Sequence, residues 1–411
     1  MGYRYDWQRG LLKETGSISV DILPKNATVY LNGSPIKGSL PIRLSNIVPR
    51  HYQLKITAPG YYDWTKDIEV INKQTVYIKD VELLKKDKPS LLQSGQIDTL
   101  ALSPGGHYLA IAYNQDNTAH VTIRDIAAGT ATELPKIPPK TPKVLLTWSN
   151  KNNYLVISDT PAPYHFVRIV KVPESDTVYS VTEDGSPQIT KYQWTDANGG
   201  SLFYSTPAAI QAYSIFNGQT TTITQNKYTD WFLEQNNLWT LTAATSTNAV
   251  VIMRDSLGFS STFATLAAPA TALAPTWNIV AAQNNTVLVQ TQNNTLTLVT
   301  ADKQFPLSTN HFLVSPFQNW WLLWSTWELW GYANTGEPYL VSRSGNELRE
   351  IVTIDKNNTL GIGWANKITA LYPYYSVEQE LARSQIKTLT ADTDKRIIYF
   401  VDNAGVWKLN Y

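Results

Sequence analysis

Thr99-Leu100-Ala101-Leu102-Ser103-Pro104-Gly105-Gly106-His107-Tyr108-Leu109-Ala110-Ile111-Ala112-Tyr113 reads as a strand, a tight turn and a second strand. Pro and Gly mark the turn because one fixes φ and the other tolerates positive φ. The same beat recurs at Lys151-Asn152-Asn153, Asp196-Ala197-Asn198-Gly199, Gln235-Asn236-Asn237, Gln283-Asn284-Asn285, Phe317-Gln318-Asn319, Lys356-Asn357-Asn358 and Asp392-Thr393-Asp394. Neighbouring turns lie about 34 to 48 residues apart, the length of one propeller blade.

Around these turns, residues 91–411 divide into eight units of up to four strands each. The first spans Thr99 to about Thr132 and the second Val144 to Val181. The next five begin at Ile189, Asp230, Trp277, Phe312 and Leu348. The last offers three strands, Ile386 to Leu389, Arg396 to Val401 and Gly405 to Leu409, before the chain stops. Leu91-Leu92-Gln93 is the candidate for its missing outer strand, and closing the ring this way removes open sheet edges. The count favours eight blades, or seven if two weak units merge.

Composition agrees with an all-β chain. Aromatics reach 11% and charged residues only 16%, with Trp 14 and Tyr 23 in 411 residues. Cys is absent, which excludes a disulfide framework, a thiolate metal site and a Cys nucleophile. Residues 1–90 hold 14 Lys/Arg against 9 Asp/Glu, a surplus of +5, whereas the remainder is net acidic. That surplus suits proximity to an anionic surface but is too sparse for nucleic-acid binding, and ordinary solvated charge explains it equally. No run of about 18 apolar residues is present to span a bilayer, and no apolar core of a signal peptide opens the chain.

Ahead of the ring, residues 16–84 read as a small β-sandwich. Ile18-Ser19-Val20-Asp21-Ile22-Leu23 alternates, and Thr28-Val29-Tyr30-Leu31 leads into the hairpin signal Asn32-Gly33. Tyr52 to Ile56, Ile68 to Val70 and Thr75 to Ile78 supply further strands. Residues 1–15 have no clear period, and Lys85-Lys86-Asp87-Lys88-Pro89 reads as a charged linker over 85–90.

Pro24-Lys25-Asn26-Ala27, then Val29-Tyr30-Leu31-Asn32-Gly33, then Gly38 to Pro41 and Gly60-Tyr61, resemble the PEGA domain family of cell-surface β-sandwich modules. The chain departs from that family between Pro24 and Ala27, where Glu-Gly is usual, and at Arg50, where Gly usually follows Pro. The Ser103-Pro104-Gly105-Gly106 turn and the blade period resemble WD40-like and TolB-like propellers, without the strict WD40 marks. PEGA module followed by propeller is similar to membrane-anchored envelope proteins of candidate-phylum bacteria. In that group Gly2-Tyr3-Arg4-Tyr5-Asp6 would follow directly on a membrane helix, making 1–15 a juxtamembrane stump. The resemblance implies an extracytoplasmic, membrane-tethered protein whose helix lies outside this chain.

No catalytic signature accompanies this framework. Trp320-Trp321-Leu322-Leu323-Trp324-Ser325-Thr326-Trp327-Glu328-Leu329-Trp330 could be a sugar-stacking platform, but its alternation favours a strand packed on both faces. Trp327 and Trp330, beside the next turn, are the expected exposed pair and the candidate binding residues. His51, His107, His120, His165 and His311 are scattered without metal spacing. Ser34-Pro35-Ile36-Lys37 and Glu183-Asp184-Gly185-Ser186 match hydrolase and sialidase motifs only in fragments, and Asp392-Thr393-Asp394 reads as a hairpin turn rather than a calcium loop. Asn26, Asn284, Asn293 and Asn357 head formal glycosylation triplets, better explained by turn geometry.

The expectation is therefore a non-enzymatic binding or scaffold protein of the cell envelope. It has no catalytic residues, no metal and no cofactor, and its partner is an envelope protein or a cell-surface glycan. Two alternatives remain. A glycan hydrolase or lyase would use two or more close, buried carboxylates at the channel mouth, whereas a lectin-like module would bind through Trp327 or Trp330.

Overall fold

Alternation of buried and exposed side chains builds the N-terminal sandwich. Gly16–Leu23 buries Ile18, Val20 and Ile22 while Ser17, Ser19 and Asp21 face outward. This strand lies between Ile42–Ile47 and Thr75–Glu82, pairing antiparallel with the first and parallel with the second. A second sheet of Ser34–Pro35, Thr28–Leu31, Arg50–Thr57 and Trp64–Val70 covers it. Asn32 (φ 49°) and Gly33 (φ 79°) form the expected two-residue turn, with Leu31 opposite Ser34.

This computed structural model describes residues 3–6, 10–134, 137, 141, 143–151, 154–174, 177–182, 188–195, 200–225, 228–235, 237–243, 249–256, 259–267, 277–291, 293–315, 317 and 320–411. No helix occurs among them. The turns read at 152–153, 196–199, 236 and 318–319, and the Glu183 to Ser186 fragment, lie outside the described residues. Tyr3–Asp6 pairs with Leu11–Glu14, a hairpin whose four-residue strands are too short to give a readable period.

Eight four-stranded antiparallel sheets form the ring. Seven run in simple sequence order, starting at Thr99, Val144, Lys191, Asp230, Asn278, His311 and Leu348. The eighth takes Thr388–Asp392, Ile397–Val401 and Gly405–Asn410 from the end of the chain and Ser90–Ser94 from before the first blade. The ring thus closes by an N-terminal strand. Closure has a steric condition at Gly405 (φ +149°), where a Cβ would sit 2.0 Å from the Gln93 carbonyl oxygen. Any side chain there displaces the closing strand or bends the third.

Each blade is packed on both faces, so its second strand carries apolar residues on both sides. Trp321–Trp324 shows how. Leu322 and Trp324, with the preceding Trp320, enter one cluster with Leu329, Leu348, Ile351 and Trp364. Trp321 and Leu323 enter the opposite cluster with Leu288, Leu298 and Tyr332. The tryptophan-rich stretch is therefore mostly core, and Gly331 leaves room for the Trp320 indole.

Turns joining the first two strands of a blade clasp the neighbouring blade. Ser103 sits five residues ahead of Tyr108, and Ser149 five ahead of Tyr154. Each serine hydroxyl accepts the backbone N–H of its tyrosine (2.9 and 3.1 Å), which closes the turn. Asn284 N–H donates to Glu234 (2.8 Å), Arg254 to the Asn285 amide oxygen (2.7 Å), and Lys395 Nζ to the Gly106 carbonyl (2.5 Å). Asn284 (φ 50°) and Asn285 (φ 58°) have the left-handed backbone that explains the Asn pairs.

Candidate functional site at the module–ring seam

Antiparallel order puts two sets of turns on one face of the ring: those joining the first and second strands of a blade and, in the first seven blades, those joining the third and fourth. The sandwich sits on that face, over the last two blades. Its exposed edge strand is Thr75–Glu82, which pairs with Gly16–Leu23 on one side only. Unpaired edges invite aggregation unless covered. Here the ring covers the edge with side chains.

Tyr375 comes first. It lies in the turn after Ile368–Tyr372, and its hydroxyl donates to the Lys79 carbonyl (2.6 Å) while accepting the Lys79 N–H (3.0 Å). Tyr372 donates to the Glu82 carbonyl (2.7 Å). Arg396 donates to the Leu83 carbonyl (3.0 Å) and the Tyr411 carbonyl (3.0 Å), and pairs with the Glu82 carboxylate. Burial pushes the Tyr375 and Tyr372 hydroxyls above the ordinary tyrosine range, so both stay protonated and able to donate.

Apolar packing completes the seam. Trp64 meets Tyr375 edge to face at 5.4 Å, and Arg396 lies over the Tyr411 ring at 5.3 Å. Ile78, Val81, Leu83 and Leu84 of the module share one continuous core with Ile354, Leu381, Phe400 and Tyr411 of the ring. Residues 85–90 are pinned as well: Lys86 N–H donates to the Gly60 carbonyl (2.9 Å) and Asn410 to Asp87 (3.0 Å). Domains joined by small polar contacts move freely, whereas a shared hydrophobic core holds them together.

Beside this contact, register slips between Asp21 and Ile22, and Asp80 (φ 60°) is the bulged residue opposite. The bulge and two turns of the seventh blade enclose a groove of about 340 Å³ lined by Lys79, Asp80, Asn357, Thr359 and Tyr372 to Tyr375. Tyr374 is 86% exposed, its ring set edge to face on Tyr375 at 4.9 Å. Interdomain clefts of this size are common ligand sites.

Elsewhere the candidate residues fall differently. Trp327 is exposed, on a turn joining a second to a third strand and hence on the opposite face of the ring. Trp330 is half-buried against the Trp321–Leu323–Tyr332 cluster, because it pairs with Leu323, and its Nε1 donates to Glu328 (3.1 Å). His120 and His165 each pair with one carboxylate, Glu133 and Asp159 (both 2.8 Å), pairs that chain spacing did not suggest. No group of three metal-ligating side chains occurs among the described residues.

Four carboxylates lie on the innermost strands: Asp230, Glu234, Glu350 and Asp392. Asp230 holds the Lys191 ammonium (2.9 Å) and the Ile279 N–H (2.6 Å), tying three blades together. Burial pulls Lys191 below the ordinary lysine range, against the Asp230 charge. Glu234 accepts from Trp239 Nε1 (2.9 Å), and Asp392 faces Lys395 (3.3 Å). Glu350 alone is strongly perturbed: burial pushes it up to about 7, partly offset by a hydrogen bond from Thr388.

Residues 15–85 match the PEGA domain family. Among solved structures, the chain is similar to the Dos1 propeller, at 12% identity over 79% of this chain and 95% of that one, with a TM-score of 0.53. It is also similar to the RRP9 WD40 repeats (10% identity, 79% and 97% covered, TM-score 0.42). A third is Porphyromonas gingivalis dipeptidyl peptidase 4 (10% identity, 76% and 56% covered, TM-score 0.49). At 12% identity the likeness to the Dos1 propeller speaks to fold alone. None of the curated proteins compared with the chain matches it.

Proposed function

We propose that this chain is a non-enzymatic, extracytoplasmic binding scaffold in which module and ring form one rigid unit. The carrying observation is the capture of the Thr75–Glu82 edge by Tyr372, Tyr375 and Arg396 over a shared core. A module fixed in this way cannot be a free spacer. It sets the orientation of the ring relative to whatever holds the N-terminal end, and it adds its own wall to the ring's loop-rich face. The PEGA match supports a cell-surface setting, and an envelope protein or glycan is the partner that setting offers. Tethering through a membrane helix outside this chain belongs to the same reading. Rigid propellers carry variable loops around a channel, which suits recognition.

The test is co-sedimentation with an isolated cell-envelope fraction, with reducing ends assayed in the supernatant. Saturable binding without release of reducing ends is expected. Released ends would overturn the non-enzymatic reading.

A second reading, a glycan hydrolase or lyase at the channel, draws on Glu350, whose raised pKa suits a proton donor near neutral pH. Against it stands the engagement of Asp230, Glu234 and Asp392 by neighbouring donors or cations. Cleavage of an envelope polymer by the wild type, abolished in Glu350→Gln, would favour it.

A further inference from the structure

We infer that the groove between the Asp80 bulge and the seventh blade is a binding subsite for an uncharged pyranose chain. The inference rests on the binding reading above and gives it a place and a ligand class. Three observations carry it.

First, Tyr374 presents an almost fully exposed ring at the groove's edge, held edge to face by Tyr375. Tyr375 in turn is fixed by Trp64 and by two hydrogen bonds to Lys79. The exposed ring therefore has a set orientation and a free face. An electron-rich aromatic face attracts the C–H-bearing side of a pyranose.

Second, beside its aromatic rings and Pro373 the lining carries polar groups that are balanced in charge. Lys79 and Asp80 stand 3.9 Å apart, Nζ to carboxylate, and Asn357 adds an amide donor and acceptor. Paired opposite charges give no net pull on a polyanion or polycation, yet they offer both donors and acceptors to hydroxyl groups. An apolar ligand would leave these groups unpaired.

Third, the groove is partly open to solvent, and its walls come from both parts of the molecule. A ligand that enters from the open side meets different parts on its two edges: module on one side, ring on the other. Binding then depends on the seam that holds those walls together.

The experiment uses the full chain, with cellotetraose and chitotetraose as probes, followed by isothermal titration and by chemical-shift changes of a labelled tyrosine at position 374. At least one probe is expected to bind. Tyr374→Ala should weaken it roughly tenfold or more, while Tyr374→Phe, which keeps the platform, stays within about twofold. Phe216→Ala, which removes an exposed aromatic on the third blade, should leave affinity unchanged. Because Tyr374 is exposed, its replacement leaves the fold intact, and an unchanged melting temperature checks this. No binding of either probe at about 10 mM, or unaltered affinity in Tyr374→Ala, overturns the inference. So does displacement of the probe by polyglutamate, which would mark the groove as selecting charge. If saccharide binding fails while module and ring remain one rigid unit, the subsite alone is lost and the scaffold reading stands.

Discussion

Residues 320–330 hold five tryptophans, and residues 372–375 hold three tyrosines. The first segment is the more conspicuous and the second does more to connect the molecule. Trp320, Trp321 and Trp324 lie on or beside a second strand, so alternation sends them into the clusters on both sides of their blade. Tyr374 and Tyr375 lie in a turn, and Tyr372 ends the strand before it. Their rings and hydroxyls reach past the blade: two to the sandwich, one to solvent. Aromatic density marks core in a propeller, because every blade has two faces to fill. Aromatic position in a turn marks contact with something else.

Breaking the first segment should cost most. Trp321→Ala removes a fully buried side chain and its hydrogen bond to Asn334 (2.7 Å), and should destabilise the ring by about 3–5 kcal/mol in chemical denaturation. The seam would fall with the ring rather than before it.

Breaking the second segment should uncouple the parts while sparing the ring. Arg396→Ala leaves Glu82 and two carbonyls without their cation, a loss of about 2–4 kcal/mol. The readout is proteolytic cleavage within residues 85–90, slow in the wild type and rapid in the variant. Equal cleavage rates would show that the seam does not depend on Arg396.

Acidity offers a third probe, placed on the ring alone. Glu350 titrates near 4.5 when unfolded and at about 7 when folded. Its protonated form is favoured by folding, so its contribution to stability is fully present below pH 4.5 and is lost as pH rises through 7. The drop is about 3 kcal/mol at most. Glu350→Gln should flatten the fall in melting temperature between pH 5 and 8, with no effect on module cleavage. An unchanged slope would place the titrating group elsewhere.

Tyr375→Phe sharpens the comparison further. It keeps the ring against Trp64 and deletes only the two hydrogen bonds to Lys79, so the loss should be about 1–2 kcal/mol. Trp327→Ala should stay within about 0.5 kcal/mol, since an exposed tryptophan on a turn supports little packing. A larger loss there would return the tryptophan segment to the list of contact surfaces.

Local pattern made the fold legible. Turn chemistry, the blade period and the short Leu91-Leu92-Gln93 run led to eight sheets and a closing strand, because each signal lies within a few residues. The seam was not legible. Tyr375 and Lys79 are 296 residues apart, and nothing periodic links a turn of one unit to an edge strand of another. Spacing likewise could not show that Asp230 would be taken up by Lys191, 39 residues earlier, in a tie across neighbouring blades. One signal was present: the edge strand ends in Val81-Glu82 and runs on into Leu83-Leu84, apolar residues that the sandwich buries only together with the ring.

Distance between spin labels tests the shared rigidity most directly. The chain lacks cysteine, so Lys37→Cys on the module and Ala301→Cys on the fifth blade can be labelled without further changes. Pulsed electron resonance should give one narrow distance distribution in the wild-type background, and a broad one once Arg396→Ala is added. A broad distribution in the unaltered seam would show that module and ring move independently, and the account of a single rigid scaffold would be wrong.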